Sequence, residues 1–332
     1  MLRIAALAPF AALALFACSE EASETEEAQS ADAEAAETEG ANGQAAEDGV
    51  AASPPQTLRE AVDGVWRGDQ ARSRDGFRNP AATLEVFDID PSGTIVEIWP
   101  GGGWYTDILA PWIEANGGTY VAAWPPVDPG NARALAFQER FLERFESDLY
   151  GEATLVEFGS ETGALMNEER ADAILTFRNV HNWMGGGFAE KAFADFYAAL
   201  KPGGRLGVVE HRQPATQVQD PRAATGYVQQ DYVISLAQEA GFELVAASEV
   251  NANPDDTADH PFGVWTLPPV SRTSDFGEPA DPEFDTAPYD AIGESDRMTL
   301  LFRKPEGDTP QVSEGRARGL ESRSDSGGSN GR

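Results

Sequence analysis

The chain turns on Thr94 to Thr106, which reads TIVEIWPGGGWYT. Thr94 to Ile98 is an apolar, β-branched run of strand character. Gly101, Gly102 and Gly103 follow Pro100, and an amphipathic segment opens at Trp104. The order predicts strand, glycine turn, helix. Adjacent glycines allow positive φ and let a ligand approach the main chain with no Cβ in the way. The N–H groups that open the helix are unpaired and point toward that gap. Glu97 lies near the end of the strand, and ligands of open α/β sheets bind beside the C-terminal strand ends. A glycine turn is also compatible with a tight connection that binds nothing, so the surrounding pattern decides.

Downstream, the amphipathic segment predicts a helix over 104–115, stopped by Asn116-Gly117-Gly118, and a strand over 119–124, broken by Pro125-Pro126. Phe137, Phe141, Leu142, Phe145 and Leu149 at helical spacing predict a crossover helix over 129–149. Strands follow at 153–158 and 171–177, the second running into Arg178-Asn179-Val180-His181-Asn182-Trp183. A helix over 188–200, a Lys201-Pro202-Gly203-Gly204 turn and a strand over 205–210, ending Glu210-His211-Arg212, come next. A helix over 228–240 stops at Gly241. The last strands, 242–250 and 297–303, flank a Pro/Asp-rich loop, 251–295, longer than an idle connection needs. Upstream lie a short helix over 57–67 capped near Thr57, a charged approach over 72–80 and a helical turn over 82–87. Alternating strands and helices imply right-handed crossovers. The expected fold is α/β: a Rossmann-like, seven-stranded, mostly parallel sheet with helices on both faces and a C-terminal antiparallel strand pair, in one domain over 57–305.

The front of the chain reads differently. Arg3 and an apolar run to Ala17 precede Cys18, the sole cysteine. The run is too short to span a bilayer. Residues 1–18 resemble a bacterial lipoprotein signal, which implies a lipid anchor on Cys18 and an envelope location facing the periplasm or exterior; an ordinary secretory leader is the alternative. Residues 19–56 carry eleven acids, no base and no aromatic residue, a composition that predicts an extended acidic tether. A tail over 306–332 is similarly without periodicity. The whole chain carries −32; without the tether's acids, 45 acidic against 24 basic residues remain, a net −21. Such a body argues against nucleic acid as a partner. Oligomeric state is not legible.

Glu97-x-x-x-Gly101-x-Gly103, Ala199-Leu200-Lys201-Pro202-Gly203-Gly204 and Ala240-Gly241-Phe242 occur in the order found in class I S-adenosylmethionine-dependent methyltransferases. From about Arg74 to Lys304 the chain resembles that family, and more narrowly a group of bacterial predicted methyltransferases sharing EIWPGGGWY, FRNVHNW and GVVEHR. The resemblance implies S-adenosylmethionine as cofactor, held by Glu97, Pro100, Gly101, Gly102, Gly103, Trp104, Tyr105 and Asn179, and methyl transfer to a small-molecule acceptor. The sequence departs from the family at two positions. Trp99 stands where the first glycine of the motif is usual, and Trp124 where an acid would bind the ribose, leaving Asp128 as a substitute four residues on.

The ends of strands one, four and five should converge on one crevice. They would bring Glu97, the glycine turn, Arg178-Asn179-His181 and Glu210-His211-Arg212 together, with His181, Glu210, His211 and Arg212 as candidate catalytic residues and histidine suited to general base work near neutral pH. A structural, hydrogen-bonded role is the alternative for each histidine. Trp99, Trp104 and Tyr105 are expected to face the sulfonium cation. Tyr227, Asn251, Asn253 and Trp265 are candidates for the substrate side. His181, His211, Glu210 and His260 are metal-ligand types, but no H-x-H or H-E-x-x-H spacing supports a metal. A lipoprotein would lie outside the compartment that holds S-adenosylmethionine, so a non-catalytic, envelope-tethered binding protein on a degenerate methyltransferase fold is the second hypothesis.

Overall fold

The structure is a computed structural model describing residues 53–166 and 170–306. Cys18, the leader, nearly all of the acidic segment and all but the first residue of the 306–332 tail lie outside the described residues. At the front, α1 (Leu58–Val62) opens with a capping box in which Thr57 and Glu60 satisfy each other's backbone N–H groups. The charged approach is not loop but two short helices, α2 (Asp69–Ser73) and α3 (Asp75–Arg78), followed by α4 (Pro80–Phe87). They deliver Arg74 and Arg78 to the site.

The central succession is β1 (Thr94–Ile98), α5 (Thr106–Ala115), β2 (Thr119–Trp124), α6 (Ala132–Glu143), β3 (Thr154–Glu157) and β4 (Ala171–Phe177). Then come α7 (Val180–Gly185), α8 (Ala189–Ala199), β5 (Leu200–Gln213), β6 (Val228–Gln229), α9 (Gln230–Glu239), β7 (Glu243–Ser248), α10 (Ala287–Ile292) and β8 (Arg297–Arg303). The sheet order is β3-β2-β1-β4-β5-β8-β7, with β6 added beside β5. β8 is antiparallel to both neighbours, and the remaining pairs are parallel. Seven strands on the main path and the antiparallel closing pair agree with the fold read from the sequence.

Alternating side chains serve two cores. Val96, Ile98, Ile174 and Val208 pack with Phe193 and Phe196 of α8 and Leu236 of α9. Ile95, Ala122 and Leu175 pack with Leu84 and Phe87 of α4, Ile108 and Leu109 of α5, and Phe141 of α6. The crossover helix is shorter than its aromatic periodicity predicts, passing into a 3-10 turn at Arg144–Glu146. β5 is longer than predicted because its glycine-containing start also pairs, Leu200 against Ala171. The result places the ends of β1, β4 and β5 and the 251–295 segment around one mouth.

Candidate functional site

The glycine turn has the backbone the sequence demands, with φ of 58° at Gly101 and 86° at Gly103. What approaches it is a protein side chain. Arg144 donates to the Gly102 carbonyl at 2.7 Å, to the Phe141 carbonyl at 2.9 Å and to Asp107 at 2.9 Å. A Cβ on Gly103 would sit 2.6 Å from the Arg144 guanidinium. Pro100 closes the turn by accepting from the Gly103 N–H. Glu97 is buried and accepts from the hydroxyls of Thr106 at 2.9 Å and Tyr120 at 2.6 Å. Burial and the neighbouring Glu97 carboxylate push the Tyr120 phenol well up, so it remains a donor.

Trp99 takes a positive φ of 47°, a conformation its side chain disfavours. Its indole Nε1 donates to the Phe158 carbonyl, just past the end of β3, at 2.9 Å. The ring meets Phe158, Trp183 and Phe188 at centroid distances of 6.3, 6.1 and 6.0 Å. The indole therefore reaches from the end of β1 to the end of β3, across the end of β2. At that last position Trp124 is buried against Phe137 and Phe141. Asp128 is exposed and accepts from the N–H of Gly130 in its own turn. Trp104 and Tyr105 meet the chain's own groups: Trp104 lies between Arg67 and Arg78, 4.9 and 4.7 Å from its centroid, and Tyr105 stacks on Phe177 at 3.6 Å. Asn179 ties β4 to β1, donating to the Ile98 carbonyl at 2.9 Å.

The histidines do converge. His181 and His211 lie 5.6 Å apart by ring centroid, with Trp265 6.2 Å from His181. Glu210 orders them: it accepts from the backbone N–H of Val180, His181 and His211 and lies 3.0 Å from His181 Nδ1. The Glu210 oxygen accepts, so His181 presents N–H at Nδ1, which fixes the orientation of its ring. His211 Nδ1 meets Ser295 Oγ at 2.5 Å. Burial first, then His181, Arg297 and Arg178, push the His211 imidazolium well below its ordinary range, leaving the ring neutral. Ligand atoms of His181, Glu210 and His211 lie within 4.8 Å of one another, which is metal-like spacing. The Glu210 oxygens are occupied by N–H groups, however, and the local field from Arg178 and Arg297 is positive, which opposes a cation.

Other candidates are spent on holding the loop. Arg212 pairs with Asp296 and Glu249, which places it in an ion-pair anchor beside the histidines. Asn251 bonds Thr83 and Thr299, and Asn253 bonds the carbonyls of Ile292 and Glu294. Tyr227 and His260 both bond Asp256, whose second oxygen also accepts the Asp296 N–H. Sequence reasoning missed Arg74, Arg78, Glu294 and Arg297. Glu294 accepts from Arg74 at 2.7 Å, from Arg78 at 3.1 Å and from Arg297. Only the charged 72–80 stretch hinted at them.

Strand order and motif positions together define a class I S-adenosylmethionine-dependent methyltransferase-like Rossmann fold. No protein-family model and no curated protein sequence matches the chain. Solved structures do. A SAM-dependent methyltransferase from Aquifex aeolicus is 14% identical, with a TM-score of 0.44 over 58% of this chain and 91% of that one. The [4+2]-cyclase SpnF is 14% identical, with a TM-score of 0.48 over 85% of this chain and 96% of that one. An arsenic(III) S-adenosylmethionine methyltransferase from Chlamydomonas reinhardtii is 13% identical, with a TM-score of 0.38 over 76% and 74%. The class rests on the strand order and motifs, not on these likenesses.

The site residues do not fit the family's cofactor in its usual place. Arg144 holds the glycine turn, Trp99 lies across the ends of the first three strands, and Trp124 replaces the ribose acid with a buried ring.

Proposed function

We propose that the chain is a small-molecule-binding protein on a methyltransferase-like fold, working at the mouth of β4 and β5, with the cofactor crevice closed. The observation that carries this reading is Trp99, bonded to Phe158 and packed among three aromatic rings across the ends of β1, β2 and β3. The ordered histidines support it: a neutral His211 and the His181 ring held by Glu210 offer polar contacts in a water-poor setting. The lipid anchor on Cys18 and an envelope location belong to the same proposal. A Cys18→Ala variant that still partitions with membranes would remove them.

A second reading is favoured by the glycine turn, the Leu200-Lys201-Pro202-Gly203-Gly204 stretch and Ala240-Gly241-Phe242 in family order. It is an S-adenosylmethionine-dependent methyltransferase acting on an unidentified small acceptor, and it requires the Trp99 indole to leave Phe158. Calorimetric titration of S-adenosylmethionine and S-adenosylhomocysteine separates the two. The first reading expects no saturable heat, and micromolar binding by the wild-type protein would replace it with the second.

A further inference from the structure

No sequence motif marks Ser295, yet its hydroxyl meets His211 Nδ1 at 2.5 Å. Both side chains are buried, Ser295 at 4% exposure, where β5 ends and β8 begins. Register explains the meeting. His211 stands opposite Arg297 across β5 and β8, so the residue two before Arg297 is its diagonal neighbour on the same face.

The position of this hydroxyl is fixed from both sides. Glu294 is held by Arg74, Arg78 and Arg297, and its carbonyl accepts from Asn253 Nδ2 at 2.8 Å. Asp296 accepts from Arg212 at 2.8 and 2.9 Å and from the Asn253 N–H at 2.8 Å. Its own N–H donates to Asp256. The backbone on either side of Ser295 is therefore tied down, which holds the hydroxyl in one place. His211, lowered by burial and then by His181, Arg297 and Arg178, is a neutral imidazole. A serine bonded to a neutral imidazole is the arrangement that activates a hydroxyl. Arg297 adds positive charge beside the pair, and its Nε is buried with no acceptor among the described residues. His181 and Tyr227 stand 5.6 and 6.2 Å from His211 by ring centroid.

We propose that Ser295 is a nucleophile activated by His211, and that the mouth hydrolyses esters of short acyl chains. This goes beyond binding and rests on the reading of that mouth as the working site. Ser295 Oγ bonds to the ester carbonyl carbon as its proton passes to His211 Nδ1. The carbonyl oxygen takes up the negative charge in the positive field of Arg297. The C–O bond to the alcohol then breaks, and the alcohol leaves with the proton from His211, giving acyl-Ser295. Water completes the cycle: its proton goes to His211, its oxygen bonds to the acyl carbon, and the acid leaves as Ser295 recovers its proton. The burial of Ser295 sets the substrate class, because a long or branched acyl chain has no room to reach a hydroxyl with so little exposed surface.

The test treats the full chain with methanesulfonyl fluoride, a small reagent that leaves a stable sulfonyl ester on an activated serine as fluoride departs. Peptide mapping by mass spectrometry locates the adduct, and p-nitrophenyl acetate hydrolysis is measured before and after treatment. The wild-type protein should carry one methanesulfonyl group, on Ser295, and lose its hydrolysis of p-nitrophenyl acetate in step with the labelling. Ser295→Ala should show neither adduct nor hydrolysis. His211→Gln should slow both by about 100-fold or more while keeping the wild-type circular dichroism spectrum. Hexadecanesulfonyl fluoride should label the wild-type protein far more slowly, and an equal rate would overturn the assigned substrate class. An unlabelled Ser295 in the wild-type protein, or unchanged labelling in a folded His211→Gln, would overturn the proposal. S-adenosylhomocysteine titration reports separately: its binding would overturn the closed crevice and leave this site standing.

Discussion

Replacing Trp99 with glycine restores the family's usual residue and should nevertheless destabilise the protein. The indole is half-buried, meets Phe158, Trp183 and Phe188, and donates a 2.9 Å hydrogen bond to Phe158. Truncating a core Trp costs about 3–5 kcal/mol, and partial exposure puts this one at the lower end, about 3. The lost hydrogen bond adds about 1 kcal/mol. Relief of the left-handed backbone at φ 47° returns about 1–2 kcal/mol, of which glycine's greater unfolded-state freedom takes back about 0.5–1. The balance is a loss of about 3 kcal/mol. With a urea m-value of about 3 kcal/mol/M, the midpoint should fall by about 1 M with the slope unchanged. Trp99→Phe, which keeps a ring but loses the donor and retains the backbone strain, should fall between. A Trp99→Gly variant as stable as wild type, or more so, would refute the claim that the indole is an integral part of the crevice.

Two other perturbations follow from the same geometry. Gly103→Ala must both adopt φ 86° and displace the Arg144 guanidinium, so a loss of about 2 kcal/mol is expected by chemical denaturation; an unchanged midpoint would show that Arg144 does not hold the turn. For His211, the folded-state value is depressed below 6.5 by burial, His181, Arg297 and Arg178, so the unfolded chain binds the proton more readily. Its contribution is present above about pH 6.5 and is lost as pH falls toward the folded value, by at most about 1.4 kcal/mol per unit. His211→Asn should flatten that slope in denaturation at pH 5–7, and an unaltered slope would contradict a neutral buried ring.

Much of the fold was legible. The β-branched runs bounded by glycine and proline gave β1, β2 and β4 their limits, because a run of that kind between turn residues suits a buried parallel strand. The closing antiparallel pair followed from the absence of a helix in the 251–295 stretch long enough for a crossover, although α10 and a short 3-10 turn do occur there. Helix α7 was not foreseen: Val180–Gly185 is six residues, too few to display a period.

The convergence of His181, Glu210 and His211 was legible because parallel strands bring their C-terminal ends together. The arginine cluster was not. Arg74 and Glu294 are bonded across 220 residues of sequence, and Arg297 comes from a further element, so no local periodicity marks them; Arg178 alone was legible, from its place at the end of β4. The roles of the tryptophans were also hidden. Their side chains fill the space that a family motif leaves empty, and only packing shows where an indole goes.

The most direct test of the central claim follows the indole N–H resonance of Trp99 by NMR, assigned by its loss in Trp99→Phe, while S-adenosylhomocysteine is added. The closed crevice predicts a hydrogen-bonded signal that neither shifts nor broadens, whereas a saturable change would place the nucleoside where Trp99 lies and make the crevice a cofactor site after all.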